Sequence, residues 1–372
     1  PRALALNDKV PALVMDGFSE FTAHPEIPAM TFPATANGNP APSDNHGWHV
    51  AGIMGARFGG DTPVGVHPAA SSLMDIVALP VDGLSWGEML GDLVTHFPAS
   101  GKFVISTSLG WPVDDDVAAA NDGNWPTQQL VDGAALALAW RIATSAHWDR
   151  FLHATAAGNE REYAGNMKDA RIESPWTIAH FYDDPRDIFA PGALNAAQNA
   201  ALDALMNLVQ TTYPAAAVAQ PNVMAVGSSD ADGAQSSFSN DFAEIRVEGE
   251  DVYSTCRVAD DDCDGAGQPM SGTSMATPQV AALAAWLWNL DSELTPLDVY
   301  DRLLRSYTAS GENGRTNGYL LTLSADPSLA DSPVRRTLLD IAGSTAQPGT
   351  NGLFDESDVE LYLTFFESYE LE

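Results

Sequence analysis

Apolar residues in this chain gather in short runs that do not alternate with polar ones. Such runs occupy 11–15, 73–79, 103–107, 151–157 and 223–226. A strand that is apolar on both sides has to be covered on both faces, which is how strands of a parallel sheet read. Between the runs lie longer segments with helical spacing, at 46–56, 86–97, 127–147, 193–209 and 275–290. The β-α-β-α order predicts an α/β fold, a doubly wound and mostly parallel sheet flanked by helices on both faces. Ligands of such sheets bind beyond the carboxyl ends of the strands, so Asp16, Ser108 and Asn159, which stand there, are the first functional candidates.

No internal repeat or long low-complexity linker divides the chain, so one large domain is expected over 1–345. Residues 163–221 combine an Ala/Leu-rich helical stretch with Asp/Pro-rich flanks and read as an insertion packed on the surface. A second irregular stretch covers 310–336. The string QPGTNG at 347–352 breaks the chain, and 346–372 is expected to form an acidic helical appendage with Val359, Leu361, Tyr362 and Phe365 near one face.

Charge removes one class of partner. Against 50 Asp and Glu stand 17 Lys and Arg, a net charge of −33. Nucleic acid is therefore not an expected partner, because phosphate binding needs clustered cations. At 45% hydrophobic and 18% charged residues the chain has the material for a large core. No apolar run reaches the roughly 18 residues that cross a bilayer, so no membrane span is expected. The acidic residues recur along the whole length, which suits a salty or extracellular medium and equally serves solubility alone. The chain starts at Pro1 with no charged and then apolar leader, so a leader or propeptide is expected to have been removed. Cys256 and Cys263 stand with six residues between them in a loop-like stretch; a small disulfide of an oxidising compartment is expected over a pair of free thiols.

The most specific chemical signal is SGTSMATP at 271–278, followed by a helix of small and apolar residues. Free amides and the positive dipole end at a helix N-terminus favour a nearby oxyanion, which suits Ser274 as a nucleophile. Pro278 is expected in the first turn, where amides lack helical partners. Taken alone, the string also reads as a helix cap. A second segment, NHGWHVAGI at 45–53, starts a helix with His46, whose imidazole titrates near neutral pH and suits a general base. His49 and the remaining histidines are read as structural. Asp16 ends the run PALVMDG, where a carboxylate could orient an imidazole or simply open a turn.

In the order Asp16, His46, Ser274 these residues resemble the subtilisin-like serine peptidases, or subtilases. The likeness spans roughly residues 8–345 and includes GVHPAASSLMDIVAL (65–79), STSLG (106–110), ATAAGN (154–159), NVMAVGSSD (222–230) and SSFSN (236–240). The resemblance implies a serine endopeptidase with Ser274 as nucleophile, His46 as base and then acid, and Asp16 as orienting carboxylate. It further implies Asn159 as oxyanion donor, Ser108, Leu109 and Gly110 as the strand that pairs with substrate backbone, and Ala156, Ala157 and Gly158 as a wall of the primary side-chain pocket. The expected substrate is a polypeptide, the expected setting extracellular or secreted, and no cofactor is required. The family's frequent structural calcium is admitted by carboxylates at 114–116 and 260–264, although neither stretch spells a full calcium loop.

Two departures from the family pattern bear on this. Asp16 is followed by Gly17 where the family usually has a hydroxyl residue, and Trp48 replaces a small hydroxyl residue beside His46. Trp48 either packs internally or lines the cleft. With these changes, a peptide-binding or scaffolding domain without turnover stays as the alternative, as does a transacylase or cyclase using the same acyl-enzyme.

Overall fold

The computed structural model describes residues 9–309, apart from 19–20, 22–23, 29, 35–44, 57–64, 68–69, 113–114, 258–262 and 264–266. The C-terminal appendage and the irregular stretch at 310–336 lie outside the described residues.

The first half of the chain runs through β1 (Val10–Asp16), β2 (Met30–Thr31), α1 (His46–Gly55), α2 (Ala70–Leu73), β3 (Met74–Pro80), α3 (Trp86–Thr95), β4 (Phe103–Thr107), α4 (Asp115–Ala120), α5 (Thr127–Thr144) and β5 (Phe151–Ala156). The second half adds α6 (Pro175–Phe181), α7 (Ala196–Thr212), β6 (Val223–Ser229), β7 (Ile245–Glu248), β8 (Val252–Ser254), β9 (Gln268–Met270), α8 (Thr273–Leu290) and α9 (Pro296–Ala309). Among the described residues seven strands form one sheet in the order β2-β3-β1-β4-β5-β6-β7, every pair parallel. β8 and β9 make a separate antiparallel pair. The doubly wound α/β expectation holds.

Strand side chains divide by the two-residue period of the pleat. Ala12, Val14, Val104, Leu152, Ala154, Met224 and Val226 enter a core shared with α1 and α8. Leu13, Met15, Phe103, Ile105, Phe151 and Val223 enter a second core on the opposite face, shared with α3, α5 and α6. Double coverage is the reason these strands read as unbroken apolar runs.

Helix boundaries follow local caps. α7 starts at Ala196, later than its Ala-rich pattern suggests, because Asn195 and Gln198 cap it reciprocally at 2.9 and 3.0 Å. α3 begins where Ser85 and Glu88 do the same. The segment at 163–221 departs from the surface packing expected of it: Trp176, Ile178 and Ala179 of α6 are fully buried, and the Arg141 guanidinium of α5 donates to the carbonyls of Ala179, Tyr182 and Asp183. α7, by contrast, buries only Leu202, Met206 and Val209. It joins α5 through a small cluster of Leu138, Met206, Val209 and Ala216.

α8 is buried on all sides, from Thr273 through Asn289. Its alanines at 276, 281, 282, 284 and 285 let it lie close against β1, β4, β5, β6 and β7. Pro278 sits deeper in α8 than the first turn expected for it. Its missing N–H would have paired with the carbonyl of Ser274, four residues back. The Ser108 hydroxyl donates to that carbonyl instead, at 3.0 Å, so a helix defect ties the end of β4 to the start of α8.

Candidate active site

The winding of the sheet fixes where chemistry gathers. β1 has β3 on one side and β4 on the other, so the chain changes winding direction at β1 and leaves a crevice at its carboxyl end. Asp16 is the last residue of β1, Ser108 follows β4 directly, and Asn159 lies three residues beyond β5.

His46 opens α1, and the approach of α1 to β1 is set by glycine. The Gly47 amide donates to the Gly17 carbonyl at 2.7 Å. A Cβ on Gly47 would stand 2.3 Å from that oxygen and 2.6 Å from the Phe18 ring. With α1 seated this closely, His46 Nδ1 meets Asp16 Oδ1 at 2.6 Å. The same oxygen accepts the Gly17 amide at 2.7 Å, so backbone holds the carboxylate where the family pattern has a hydroxyl neighbour. Asp16 is 1% exposed and the His46 side chain 31%, which leaves the imidazole one face toward solvent. An imidazole so held is oriented to accept a proton at its other nitrogen and to be stabilised as imidazolium.

Trp48 turns away from this cleft. It is fully buried, in edge contact with Phe18 and Phe32 at 5.6 and 5.4 Å, and Arg257 stacks over its ring at 4.5 Å. Asn45, just before His46, exchanges hydrogen bonds with the Arg257 backbone at 3.0 and 3.2 Å. Ser254 and Thr255 donate to the carbonyls of His49 and Trp48 at 2.8 and 2.7 Å. Next to them Cys256 is bridged to Cys263, with Cα atoms 5.9 Å apart. The disulfide-bearing segment thus braces the first turns of α1.

Ser274 is the second residue of α8, which packs against α1, and is 8% exposed. Its hydroxyl donates to the Ser108 carbonyl at 3.5 Å. Asn159 Oδ1 accepts from the amide and hydroxyl of Thr273 at 2.9 and 3.1 Å, which points the Asn159 NH2 away from Thr273. A Cβ placed on Gly272 would stand 3.6 Å from both Asn159 Nδ2 and the Ser274 amide nitrogen, so two donors border one small space. That space lies at the positive end of α8 and suits a developing negative charge.

Ser108 and Gly110 continue from β4, and Ala156, Ala157 and Gly158 from the neighbouring β5. Ala156, Ala157 and Ser108 are buried, while Leu109 and Gly110 are partly exposed. The two segments converge on a residue without an expected role. A Cβ on Gly110 would lie 1.8 Å from Glu173 Oε1, and one on Gly158 2.6 Å from Glu173 Cδ. Glu160 and Asn240 stand beside it. The signal that could have found them is the dense Gly/Asn/Glu spelling of AGNERE, but Glu173 joins it only through the fold.

The other histidines have structural settings. Burial lowers the imidazoles of His49 and His67 to about 4 and that of His153 to about 3. They pair with the Gln268 carbonyl, the Asn289 side chain and the Thr107 hydroxyl at 2.9, 2.8 and 2.9 Å. Among the described residues no group of three or more His, Cys, Asp or Glu is arranged to hold a metal ion, and Asp114, Asp260 to Asp262 and Asp264 lie outside them. No helix among the described residues is long and apolar enough to cross a membrane.

The model of the subtilase family of peptidases matches residues 28–319, well over half of the chain. The chain belongs to the subtilase family. A cuticle-degrading protease of Metarhizium anisopliae is 35% identical over 111 residues, which cover 29% of this chain and 26% of that protein. Subtilisin-like protease 1 of Trichophyton rubrum is 31% identical over 202 residues, or 51% of this chain and 32% of that protein. The chain thus spans about a quarter to a third of the length of these curated relatives. Among solved structures, a cold-adapted subtilisin-like serine proteinase aligns at a TM-score of 0.46 with 20% identity, covering 80% of this chain and 84% of that one.

Proposed function

We propose that the chain is a serine endopeptidase that cleaves polypeptides through an acyl-enzyme. The observation that carries this reading is the 2.6 Å bond between the buried Asp16 and His46, which opens a helix packed against α8, whose second residue is Ser274. In the first step the Ser274 hydroxyl turns from the Ser108 carbonyl to His46, gives up its proton and attacks the scissile carbonyl. The oxyanion occupies the space bordered by Asn159 Nδ2 and the Ser274 amide, where loss of one donor typically costs about 3 kcal/mol of transition-state stabilisation. His46 then protonates the leaving amine, and water repeats the cycle to release the acid. Substrate backbone pairs with 108–110 as an added strand, and the side chain before the cut lies toward Ala156, Ala157 and Gly158. This route calls on no cofactor. The Cys256–Cys263 bridge and the charge of −33 support work in an oxidising, extracellular setting.

The test is digestion of a mixed-sequence peptide library by the wild-type chain and by Ser274→Ala, read by mass spectrometry. Cleavage by the wild type that disappears in the variant is expected. A folded wild type that neither cleaves nor reacts with a serine-directed phosphonate would replace this reading by a binding role, and products joined to an added amine would mark a transacylase.

A further inference from the structure

Behind Asn159 lies a group of side chains that the steps above do not use. Glu160 and Glu173 are thirteen residues apart in sequence, yet one side-chain amide binds both: Asn240 Nδ2 donates to Glu160 Oε2 at 2.9 Å and to Glu173 Oε2 at 3.2 Å. The same nitrogen reaches the Met167 carbonyl at 3.2 Å, and Asn240 Oδ1 accepts the Glu160 amide at 2.8 Å. Glu160 Oε2 in turn accepts the backbone amide of Asn159 at 2.7 Å, and the Asn240 amide donates to the Gly158 carbonyl at 3.1 Å. The turn that presents Asn159 is thereby tied at three successive residues, Asn159 to the Glu160 carboxyl and Gly158 and Glu160 to Asn240, which in turn holds Glu173. Gly158 holds φ +93°, and a Cβ there would stand 2.2 Å from Asn240 Nδ2, so the turn fits the cluster in one way only.

Glu173 is 1% exposed. Burial, and then the neighbouring Glu160, push its carboxyl well above the usual range, and burial raises Glu160 too. Cations on adjoining segments have other partners: Arg171 pairs with Asp169 at 2.7 Å, and Arg161 faces Asp241 at 3.4 Å. Lys168 lies on the turn before Glu173, and burial outweighs the charged neighbours at both carboxyls. Two carboxylates so placed do not ionise together, and a shared proton resolves the conflict.

We propose that Glu160 and Glu173 are positioning residues: a carboxyl pair sharing one proton that, through Asn240, holds the Gly158–Asn159 turn so that the Asn159 amide meets the oxyanion. The inference rests on the peptidase reading. Loss of the shared proton sets two negative charges against each other beneath the turn, so the pair puts an upper pH limit on turnover that is separate from His46.

The experiment compares the wild type with Glu173→Gln, which keeps shape and hydrogen bonding without the charge, and with Glu173→Ala. In the wild type kcat is expected to fall on the alkaline side with KM unchanged. Glu173→Gln is expected to remove that fall while keeping kcat within about threefold at lower pH, and Glu173→Ala to lower kcat at every pH. Superimposable wild-type and Glu173→Gln profiles would overturn the proposal. So would a change in the side chain preferred before the cut with kcat unaltered, since that is the mark of a substrate-binding group. Denaturant unfolding provides a readout independent of turnover: wild-type stability should decline as pH rises through ionisation of the pair, because the folded state binds the extra proton, and Glu173→Gln should flatten that decline. Equal slopes would overturn the pair even if the chain proved not to be a peptidase, and phosphonate labelling of Ser274 reports on that question separately.

Discussion

Replacement of Gly47 by alanine puts the seating of α1 to a direct test. The added methyl would stand 2.3 Å from the Gly17 carbonyl oxygen and 2.6 Å from the Phe18 ring, and neither is the free end of a flexible chain. Relief of the oxygen contact to 3.0 Å, a separation below which real Cβ atoms are hardly ever found, needs at least 0.7 Å of movement. Phe18 is fully buried against Phe32 and Trp48 and cannot yield, so α1 has to move away from β1. That motion stretches both the 2.7 Å bond from Gly47 to Gly17 and the 2.6 Å bond from His46 to Asp16. Overpacking of this kind costs about 1–3 kcal/mol of stability. Misplacement of a catalytic group by about 1 Å can cost on the order of 100-fold in rate. The assay is kcat/KM on a peptide that the wild type cleaves, beside urea unfolding of both proteins. Gly47→Ala should be folded, less stable by about 1–3 kcal/mol and slower by one to two orders of magnitude. A variant with wild-type kcat/KM and wild-type stability would refute the argument that glycine at this position sets the His46–Asp16 distance.

Other expectations follow from the same geometry. Ser108→Ala removes the donor to the Ser274 carbonyl and should lose about 1–3 kcal/mol in denaturant unfolding. In a Pro278→Ala background the helix regains its own donor, and the Ser108 effect should shrink; equal losses in both backgrounds would contradict the link. On the proposed mechanism, Gly272→Ala places a methyl 3.6 Å from Asn159 Nδ2 and the Ser274 amide nitrogen and should lower kcat by about 100-fold or more with little change in melting temperature, measured by steady-state kinetics and thermal unfolding. His49, His67 and His153 stay neutral in the fold with values of about 4, 4 and 3, below the 6.5 of a free imidazole. The unfolded chain therefore binds more protons below pH 6.5, and each of the three should withdraw about 2 kcal/mol of stability by pH 5. A stability curve flat between pH 7 and 5 would count against all three.

β1, β4 and β5 were readable because a strand covered on both faces leaves an apolar run that needs no knowledge of its neighbours. Asp16, Ser108 and Asn159 could then be placed at the crevice from strand ends alone, SGTSMATP and NHGWHVAGI marked Ser274 and His46, and the family likeness implied how the three parts act together. The edge strand β7, spelled IRVE, alternates buried and half-buried residues over four positions, too short a pattern to separate from a loop. α6 was misjudged for a different reason: its seven residues pack against α5 through Trp176 and Ile178, a long-range fit that composition does not encode. Glu173 was the hardest to see, since a glutamate in sequence signals solvent, and only the convergence of Gly110, Gly158 and Asn240 reveals a buried one. Pro278 shows the converse case, in which a local rule placed the residue a turn too early and the lost helix bond was made good by Ser108, just past the end of β4.

The burial of α8 also bears on how long such a molecule survives among its own copies. A peptidase in concentrated solution meets other active copies, and the segment cut is one that opens far enough to enter a cleft as extended chain. α8 is enclosed from Thr273 to Asn289 and leaves its place only when the whole domain comes apart. α7 is a long helix held by three buried side chains and a four-residue cluster, so it opens at far lower cost. On the peptidase reading, working lifetime is then limited at α7 before α8, and larger apolar contacts between α5 and α7 would lengthen it without touching a residue of the proposed site.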